Sequence, residues 1–301
     1  METRVLPFTD DTIIEAARLI LSGEPVAVPT ETVYGLAADA TNGAAVARVY
    51  EAKGRPAFNP LIVHVIDLAA AERIGDFSDA ARRLAERHWP GPLTLVVPLR
   101  EHSGIASIVT AGLPTIGLRV PAHPTVQALL RASGCPLAAP SANASGSISP
   151  TRAEHVRKSL GGRIPLIIDG GATERGLEST IIAATGGMLR LLRPGPIEVD
   201  ADLAAGERIE APGQLASHYA PSKPVRLSVS AADSDEYLIG FGSIAGDTSL
   251  SPSGDLAEAA ARLFELLHLA DESAKPRIAV APVPDRGLGL AINDRLRRAA
   301  A

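Results

Sequence analysis

The stretch Lys53-Gly-Arg-Pro-Ala-Phe-Asn-Pro-Leu-Ile-Val-His64 sets two cations, a glycine and two prolines ahead of an apolar segment. The glycine permits close backbone approach. Pro56 and Pro60 fix their own φ angles and keep the residue before each out of helical conformation. A rigid loop that presents Lys53 and Arg55 suits an anion, most often a phosphate. A basic surface turn explains the same residues equally well from the local sequence.

Residues 61–65 predict a short strand that begins within this stretch, and two other predicted strands lead into small polar residues. The strand at 25–29 leads into Thr30-Glu-Thr-Val-Tyr-Gly35, and the apolar segment from Cys135 leads into serines at 141–149. Ligands in open α/β sheets bind at the carboxyl ends of strands, so these loops are candidate binding elements. A plain turn, or a flexible serine-rich one, is the alternative for each loop.

Three cations and a histidine have competing interpretations. Lys53 and Arg55 flank a predicted helix C-terminus, where cations are favourable without any ligand. Alternation along the strand places His64 on the face opposite Val63 and Val65, although a strand histidine is usually a satisfied core residue. Arg119 interrupts the apolar strand 116–120. A buried arginine needs an anionic partner, either an acidic side chain or a ligand carboxylate.

Composition limits the class of protein. The chain has 301 residues, of which 46% are hydrophobic, and this favours two globular domains. The net charge of −5 argues against broad electrostatic binding of nucleic acid. A single cysteine, Cys135, excludes an internal disulfide and a cysteine-based metal site. We see neither a signal peptide nor an apolar run of membrane length, so we expect a cytoplasmic protein without a membrane contact.

The pattern of strands and helices predicts an α/β protein in two parts. Residues 1–208 predict a mixed, twisted open sheet of roughly seven strands with helices. Residues 209–224 form a linker that carries His218-Tyr219, and an aromatic pair there indicates that the linker packs on something. Residues 225–301 predict a small α/β domain with the alternation of a Rossmann-like, doubly wound sheet.

Several common chemistries lack their motif. The sequence has no phosphate-binding Walker loop, no complete dinucleotide fingerprint, no serine-hydrolase elbow and no zinc-protease helix. The seven histidines show no metal-ligand spacing, so we predict no protein metal site.

Read together, six motifs resemble the YrdC-type threonylcarbamoyl-AMP synthases. They are Pro29-Thr-Glu-Thr-Val-Tyr-Gly-Leu36, Lys53-Gly-Arg55 with Asn59-Pro-Leu61, Pro90-Gly-Pro-Leu-Thr94, Arg119-Val-Pro121, Ala139-Pro-Ser-Ala-Asn143 and Ser179-Thr-Ile181. The Lys-x-Arg and Ser-x-Asn pairs are the hallmark of that family. The linker Gly213-Gln-Leu-Ala-Ser-His-Tyr-Ala-Pro221 and the second domain resemble its longer, two-domain branch.

The resemblance implies a YrdC-like fold and a nucleotidyltransferase. Its reaction joins L-threonine, bicarbonate and ATP into L-threonylcarbamoyl-adenylate and releases pyrophosphate, with Mg²⁺ accompanying the ATP. The product serves a downstream tRNA threonylcarbamoyl transferase complex, which modifies the adenosine beside the anticodon. Direct contact with tRNA is left open.

The resemblance also implies roles for individual residues. The catalytic set is Lys53, Arg55, Ser141 and Asn143. The ATP-binding set is Arg55, Asn59, Thr115, Ser141, Ser149, Arg193 and Tyr219. The L-threonine-binding set is Thr32, His64, Arg119, Ala139 and Ser179. In this interpretation Tyr219 covers the nucleotide, and the linker is a lid.

Two alternatives remain at this point. A non-catalytic module would present Lys53, Arg55 and Arg193 as a phosphate-reading concavity for tRNA or double-stranded RNA. The acidic net charge and an aromatic content of only 3% argue against it. A related carbamoyl-transfer or maturation factor would share the two residue pairs without selecting threonine.

Overall fold

The computed structural model describes residues 1–199, 201–203, 210–213 and 217–301. In these residues the chain forms an eleven-stranded sheet and a separate four-stranded sheet, each packed with helices. The predicted domain boundary at 208 and residues 209 and 214–216 of the predicted linker lie outside the described residues. The domain limits therefore stay predictions.

The large sheet is mixed, as predicted, but it has more strands than the roughly seven expected. Its strands are β1 (Arg4–Pro7), β2 (Val26–Pro29), β3 (Tyr34–Asp39), β4 (Ile62–His64), β5 (Leu93–Pro98), β6 (Thr115–Arg119), β7 (Leu137–Ala138), β8 (Leu166–Asp169), β9 (Thr180–Thr185), β10 (Met188–Arg193) and β11 (Asp202–Leu203). They lie in the order β1-β8-β2-β3-β7-β4-β6-β5-β9-β10-β11. The sequence did not predict β1, β3 or β11, and β3 returns antiparallel to β2 immediately after the turn at 30–33.

Helices cover both faces of this sheet. They are α1 (Asp10–Leu21), α2 (Gly43–Lys53), α3 (Leu68–Ile74), α4 (Asp79–His88), α5 (Pro124–Ser133) and α6 (Ala153–Leu160). Asn42 caps the N-terminus of α2, where its side chain accepts the Ala44 and Ala45 amides, and Gly54, with φ 60°, caps the C-terminus. Only glycine adopts that left-handed conformation readily, so the helix ends at Lys53, two residues before Arg55.

The second sheet is entirely parallel, in agreement with the predicted Rossmann-like alternation. Its strands are β12 (Val225–Arg226), β13 (Glu236–Gly240), β14 (Thr248–Ser249) and β15 (Arg277–Val280), in the order β12-β15-β13-β14, with helices α7 (Leu256–Glu272) and α8 (Leu288–Ala299). Its apolar core also takes in Ile148, Leu177 and Tyr219 from earlier in the chain. The two α/β units therefore share a packed boundary.

Among the described residues, no helix combines the length and the apolar character needed to cross a bilayer.

Candidate active site

The ends of several strands meet around one small cavity. Residues of the β2–β3 turn, of β4 and of the segment after β7 form its floor, and residues 212–213 and 218–219 border it from the predicted linker. Of the predicted site residues, the following line it: Thr32, Arg55, His64, Arg119, Ala139, Ser141, Ser179, Arg193 and Tyr219. These strand ends thus meet at one shared cavity, while the roles of its residues remain predictions.

The cavity is tight, with a volume of about 50 Å³. Typical small-molecule pockets measure roughly 300–1,000 Å³. Tyr219, which is only 1% exposed, and Gly213 help to close it. A ligand of the size of ATP can enter only if the covering residues move.

Lys53 joins the two hallmark motifs behind the cavity wall. Its buried Nζ donates to the carbonyl oxygens of Ser141 at 2.6 Å and Asn143 at 2.5 Å. Burial, followed by the nearby charge of Arg55, holds the pKa of Lys53 well below its usual value. Lys53 is therefore a link between loops in this structure, and it does not line the cavity.

Arg55 and Arg193 are held by backbone oxygens, so their charges are not cancelled by these bonds. Arg55 donates to the carbonyls of Asn59 (3.1 Å) and Pro60 (2.9 Å). Arg193 donates to the carbonyl of Ser179 from Nε at 3.1 Å and from Nη2 at 3.0 Å. The salt bridges found among the described residues include neither arginine and do not include Lys53.

Burial perturbs the titration of both arginines. Burial is the largest cause in each case, lowering the pKa of Arg55 to about 10 and lowering that of Arg193. Within the described part of the chain, no carboxylate makes an ion pair with Lys53, Arg55 or Arg193. Such a cluster favours a bound polyanion, because the ligand would offset the mutual repulsion of the cations.

Two asparagines near this cluster carry buried polar atoms without a hydrogen-bond partner among the described residues. They are both side-chain atoms of Asn59 and Oδ1 of Asn143. The Asn143 amide itself donates to the carbonyls of Ala144 and Ser147. Unpaired buried amides are costly, and they are common where a ligand completes the hydrogen bonding.

The other end of the cavity centres on Arg119, whose partner is a protein carboxylate. Its Nη2 lies 2.6 Å from Oε1 of Glu31 and 3.1 Å from Oγ1 of Thr32, and its Nε donates to the carbonyl of Gly91. Both side chains of the ion pair are buried. Burial opposes the Glu31 charge, but attraction and hydrogen bonding to Arg119 prevail and lower the pKa of Glu31.

His64 faces this end of the cavity, as alternation along β4 predicts. Burial, and then the charge of Arg119, lowers the pKa of His64 to about 3, so the imidazole is neutral at pH 7. Its Nδ1 is buried and has no partner among the described residues. The ring can therefore exchange a hydrogen bond with a ligand but carries no charge to it.

Ser179 and Ala139 are in the cavity wall with their polar groups partly committed. The Ser179 hydroxyl lies 2.7 Å from that of Thr94 and 3.1 Å from Arg193 Nη2. The Ala139 amide already donates to the carbonyl of Ile62 at 3.0 Å. A ligand contact from the Ala139 backbone would fall to its carbonyl oxygen.

Three predicted ATP contacts lie outside the cavity lining: Asn59, Ser149 and Thr115. Ser149 is fully buried, and its hydroxyl donates to Oε1 of Glu178. Thr115, at the start of β6, lines a neighbouring recess that shares Ile62 and Pro212 with the cavity. The structure does not bring Thr115 together with the other predicted site residues.

Sequence reasoning missed several residues of the site. Glu178 lines the cavity, and Glu31 pairs with Arg119. Each is next in sequence to a predicted site residue, Ser179 and Thr32 respectively. His218 also lines it, and burial lowers the pKa of His218 to about 3. The signal that pointed to Glu31 was Arg119, because a buried arginine needs an anionic partner and no carboxylate lies near it in the sequence.

Comparison with known proteins identifies the family. A family model described as "Telomere recombination", covering Sua5, YciO and YrdC proteins, matches residues 18–195. A second, described as "Threonylcarbamoyl-AMP synthase, C-terminal domain", matches residues 177–301. The chain therefore belongs to the YrdC-type threonylcarbamoyl-AMP synthase family, in its two-domain form.

Individual relatives agree over nearly the full length. The threonylcarbamoyl-AMP synthase of Bacillus subtilis (strain 168) is 41% identical, over 99% of this chain and 95% of its own. That of Pyrococcus abyssi is 40% identical, over 94% of this chain and 92% of its own. The crystal structure of P. abyssi Sua5 complexed with L-threonine superposes with a TM-score of 0.91 at 37% identity, covering 100% of this chain and 98% of that one. These matches confirm the predicted fold class and family.

Proposed function

We propose that the protein is an L-threonylcarbamoyladenylate synthase, which converts L-threonine, bicarbonate and ATP into threonylcarbamoyl-AMP and pyrophosphate. The observation that supports this most directly is the buried cluster of Lys53, Arg55 and Arg193 beside the Arg119–Glu31 pair. One part of the cavity suits a polyphosphate, and the other suits a small amino acid. The full-length relatives named as synthases favour the enzyme over a non-catalytic RNA-binding module.

The chemistry explains why fixed cations dominate the site. Threonine first becomes a carbamate, and a carbamate oxygen then attacks the α-phosphorus of ATP. Negative charge builds on the phosphate oxygens during this displacement, so pre-positioned donors stabilise the transition state more than an acid–base residue would. We assign this role to Arg55 and Arg193, with Lys53 holding Ser141 and Asn143 in place beside them.

We assign the threonine end to Arg119, Thr32, His64, Ser179 and the Ala139 carbonyl. Arg119 would bind the substrate carboxylate while Glu31 keeps its guanidinium oriented. Neutral His64 and the Thr32 hydroxyl would meet the polar groups of the amino acid. Selectivity for threonine would follow because a missing hydroxyl leaves such buried groups unpaired.

Mg²⁺ fits the site as a companion of the triphosphate. Among the described residues, the carboxylates of Glu31 and Glu178 near the cavity are each engaged by an arginine. Mg²⁺ usually keeps several waters and binds through substrate phosphates, so this donor set suits an ion carried in by ATP. It would supply further neutralisation of the phosphate charge and of the pyrophosphate leaving group.

We further propose that residues 209–224 act as a lid, and that the product passes to a tRNA threonylcarbamoyl transferase complex in the cytoplasm. The small closed cavity and the burial of Tyr219 support a lid. A lid would exclude water from the reactive mixed anhydride.

One assay tests the proposed function. Pyrophosphate release is measured with ATP, bicarbonate and each amino acid in turn. Release that depends on threonine supports the synthase. Release that does not depend on an amino acid favours a carbamoyl-transfer or maturation factor, and tight RNA binding without turnover favours the RNA-binding module.

A further inference from the structure

Helix α8, in the second α/β unit, places one guanidinium against two residues that line the cavity, Glu178 and Tyr219. The Arg295 side chain is 0% exposed, and its Nε lies 3.0 Å from Oε2 of Glu178. Its Nη1 donates to the carbonyl of Pro194 at 2.7 Å and lies 2.9 Å from Asp294. Arg295 therefore joins α8 to Glu178, which precedes β9 in the sequence, and to Pro194, which follows β10.

The Arg295–Glu178 contact links the two α/β units and also determines the charge beside the cavity. It lines the cavity, and its other oxygen accepts the Ser149 hydroxyl. Burial disfavours its charge, but attraction to Arg295, and then to Arg193, prevails and lowers the pKa of Glu178. An ionised carboxylate in the wall of a triphosphate site repels the ligand unless a nearby cation cancels it.

The same helix holds the residues that cover the cavity. The Arg295 guanidinium lies 5.4 Å from the centroid of the Tyr219 ring, within range of a cation–π interaction. One turn later, the carbonyl of Arg298 accepts the His218 amide at 3.1 Å. Helix α8 thus contacts both aromatic residues of the predicted lid.

We propose that Arg295 is a positioning residue for the nucleotide: it cancels the charge of Glu178 and holds Tyr219 over the cavity. The identity of the nucleotide rests on the proposed function. The second α/β unit would then contribute to ATP affinity through Glu178 and Tyr219. The competing explanation is a purely structural ion pair, in which either partner matters equally and the effect is on folding.

Four variants separate these explanations. Arg295→Met removes the cation but keeps most of the side-chain length, and Glu178→Gln removes the anion but keeps an acceptor for Ser149. The double variant Glu178→Gln/Arg295→Met replaces the pair with neutral groups. Arg297→Met is the matched control, because Arg297 lies on the same helix and is exposed. ATP binding is measured by calorimetry, turnover by pyrophosphate release, and folding by circular dichroism.

We expect Arg295→Met to weaken ATP binding about tenfold or more, because the Glu178 charge is left uncompensated. Glu178→Gln should change it by less than about threefold, and the double variant should bind ATP about fivefold more tightly than Arg295→Met. The threonine KM at saturating ATP should stay within about threefold in all of them, and Arg297→Met should match the wild type.

Equal losses in the two single variants, with no recovery in the double variant, would overturn the proposal. So would unchanged ATP affinity with only a lower unfolding temperature. If Arg295→Met does not fold, the double variant decides, because it lacks the Arg295 contact with Tyr219 but carries no unpaired charge: ATP binding about two- to fivefold weaker than wild type supports the proposal, and either wild-type affinity or a larger loss contradicts it. A wild type that binds ATP but shows no threonine-dependent turnover refutes the proposed function, while the binding series still decides the role of Arg295.

Discussion

Replacing Arg119 by Gln tests the threonine end of the site, because the change removes one charge and keeps a hydrogen-bonding side chain. In the structure Arg119 is paired with Glu31 at 2.6 Å, and both side chains are at most 7% exposed. Two effects are expected from this burial. The variant should lose affinity for the substrate carboxylate, and it should leave Glu31 as an unpaired buried charge.

The loss of threonine affinity and the loss of folding stability differ in size, and different second substitutions reverse them. Losing a buried charged contact with a ligand costs about 2–5 kcal/mol, and every 1.4 kcal/mol is about tenfold. The threonine KM should therefore rise roughly 30-fold to several thousand-fold, while the ATP KM changes by less than about threefold. Breaking a buried pair by removing one partner also costs about 3–5 kcal/mol of folding stability.

The double variant Glu31→Gln/Arg119→Gln separates binding from stability. It carries no unpaired charge, so its unfolding temperature should return most of the way to wild type. Its threonine KM should stay high, because the guanidinium is still missing. The matched control is Arg83→Gln, since Arg83 is exposed on α4. Steady-state pyrophosphate release gives both KM values, and thermal unfolding by circular dichroism gives stability.

Equal rises in the two KM values for Arg119→Gln would refute the assignment of Arg119 to threonine. Recovery of the threonine KM in the double variant would also refute it, because the single variant would then act only through the unpaired Glu31.

Three other predictions follow from the site and its borders. Excess chelator should abolish threonine-dependent pyrophosphate release and added Mg²⁺ should restore it, because pyrophosphate leaves as a highly charged group; full activity in chelator would contradict this. Tyr219→Ala should release more hydrolysed threonylcarbamate per adenylate formed, as judged by chromatography of the products, and an unchanged yield would count against the lid. The rings of His155 and His268 are stacked, with their centroids 3.8 Å apart, and burial lowers the pKa of each to about 4. Because both folded pKa values lie below the unfolded value near 6.5, their contribution is complete above that pH and is lost as the pH falls toward 4. His268→Gln should therefore flatten the decline in the free energy of unfolding between pH 6.5 and 4 by up to about 1.4 kcal/mol per pH unit. Urea unfolding at several pH values measures this slope, and curves parallel to wild type would exclude the contribution of His268.

The sequence predicted the strand-end loops because each carries its polar residues immediately after an apolar run. The turn at 30–33 and the segment after β7 both lie at the cavity, as that rule requires. Strand β3 was missed for a local reason. It is buried almost throughout, so it shows no alternation, and it begins directly after residues that were interpreted as a binding loop.

Long-range pairings were beyond local reasoning. Nothing near Arg119 in the sequence shows that its carboxylate is Glu31, 88 residues earlier. The contact of Arg295 with Glu178 spans 117 residues, and in the sequence Arg295 looks like one of several polar residues on an amphipathic helix. Such partners become visible only when the sheet order is known.

The ammonium of Lys53 has a consequence for how this family can vary. It binds carbonyl oxygens 88 and 90 residues away, so the Lys-x-Arg loop and the Ser-x-Asn loop share one fastening point. Carbonyl oxygens belong to the main chain, and no replacement of the side chains at 141 or 143 can compensate for a lost ammonium. A relative that lacks this lysine must stabilise the backbone conformation of both loops in another way. Lys53 is therefore difficult to substitute even if it never touches a substrate.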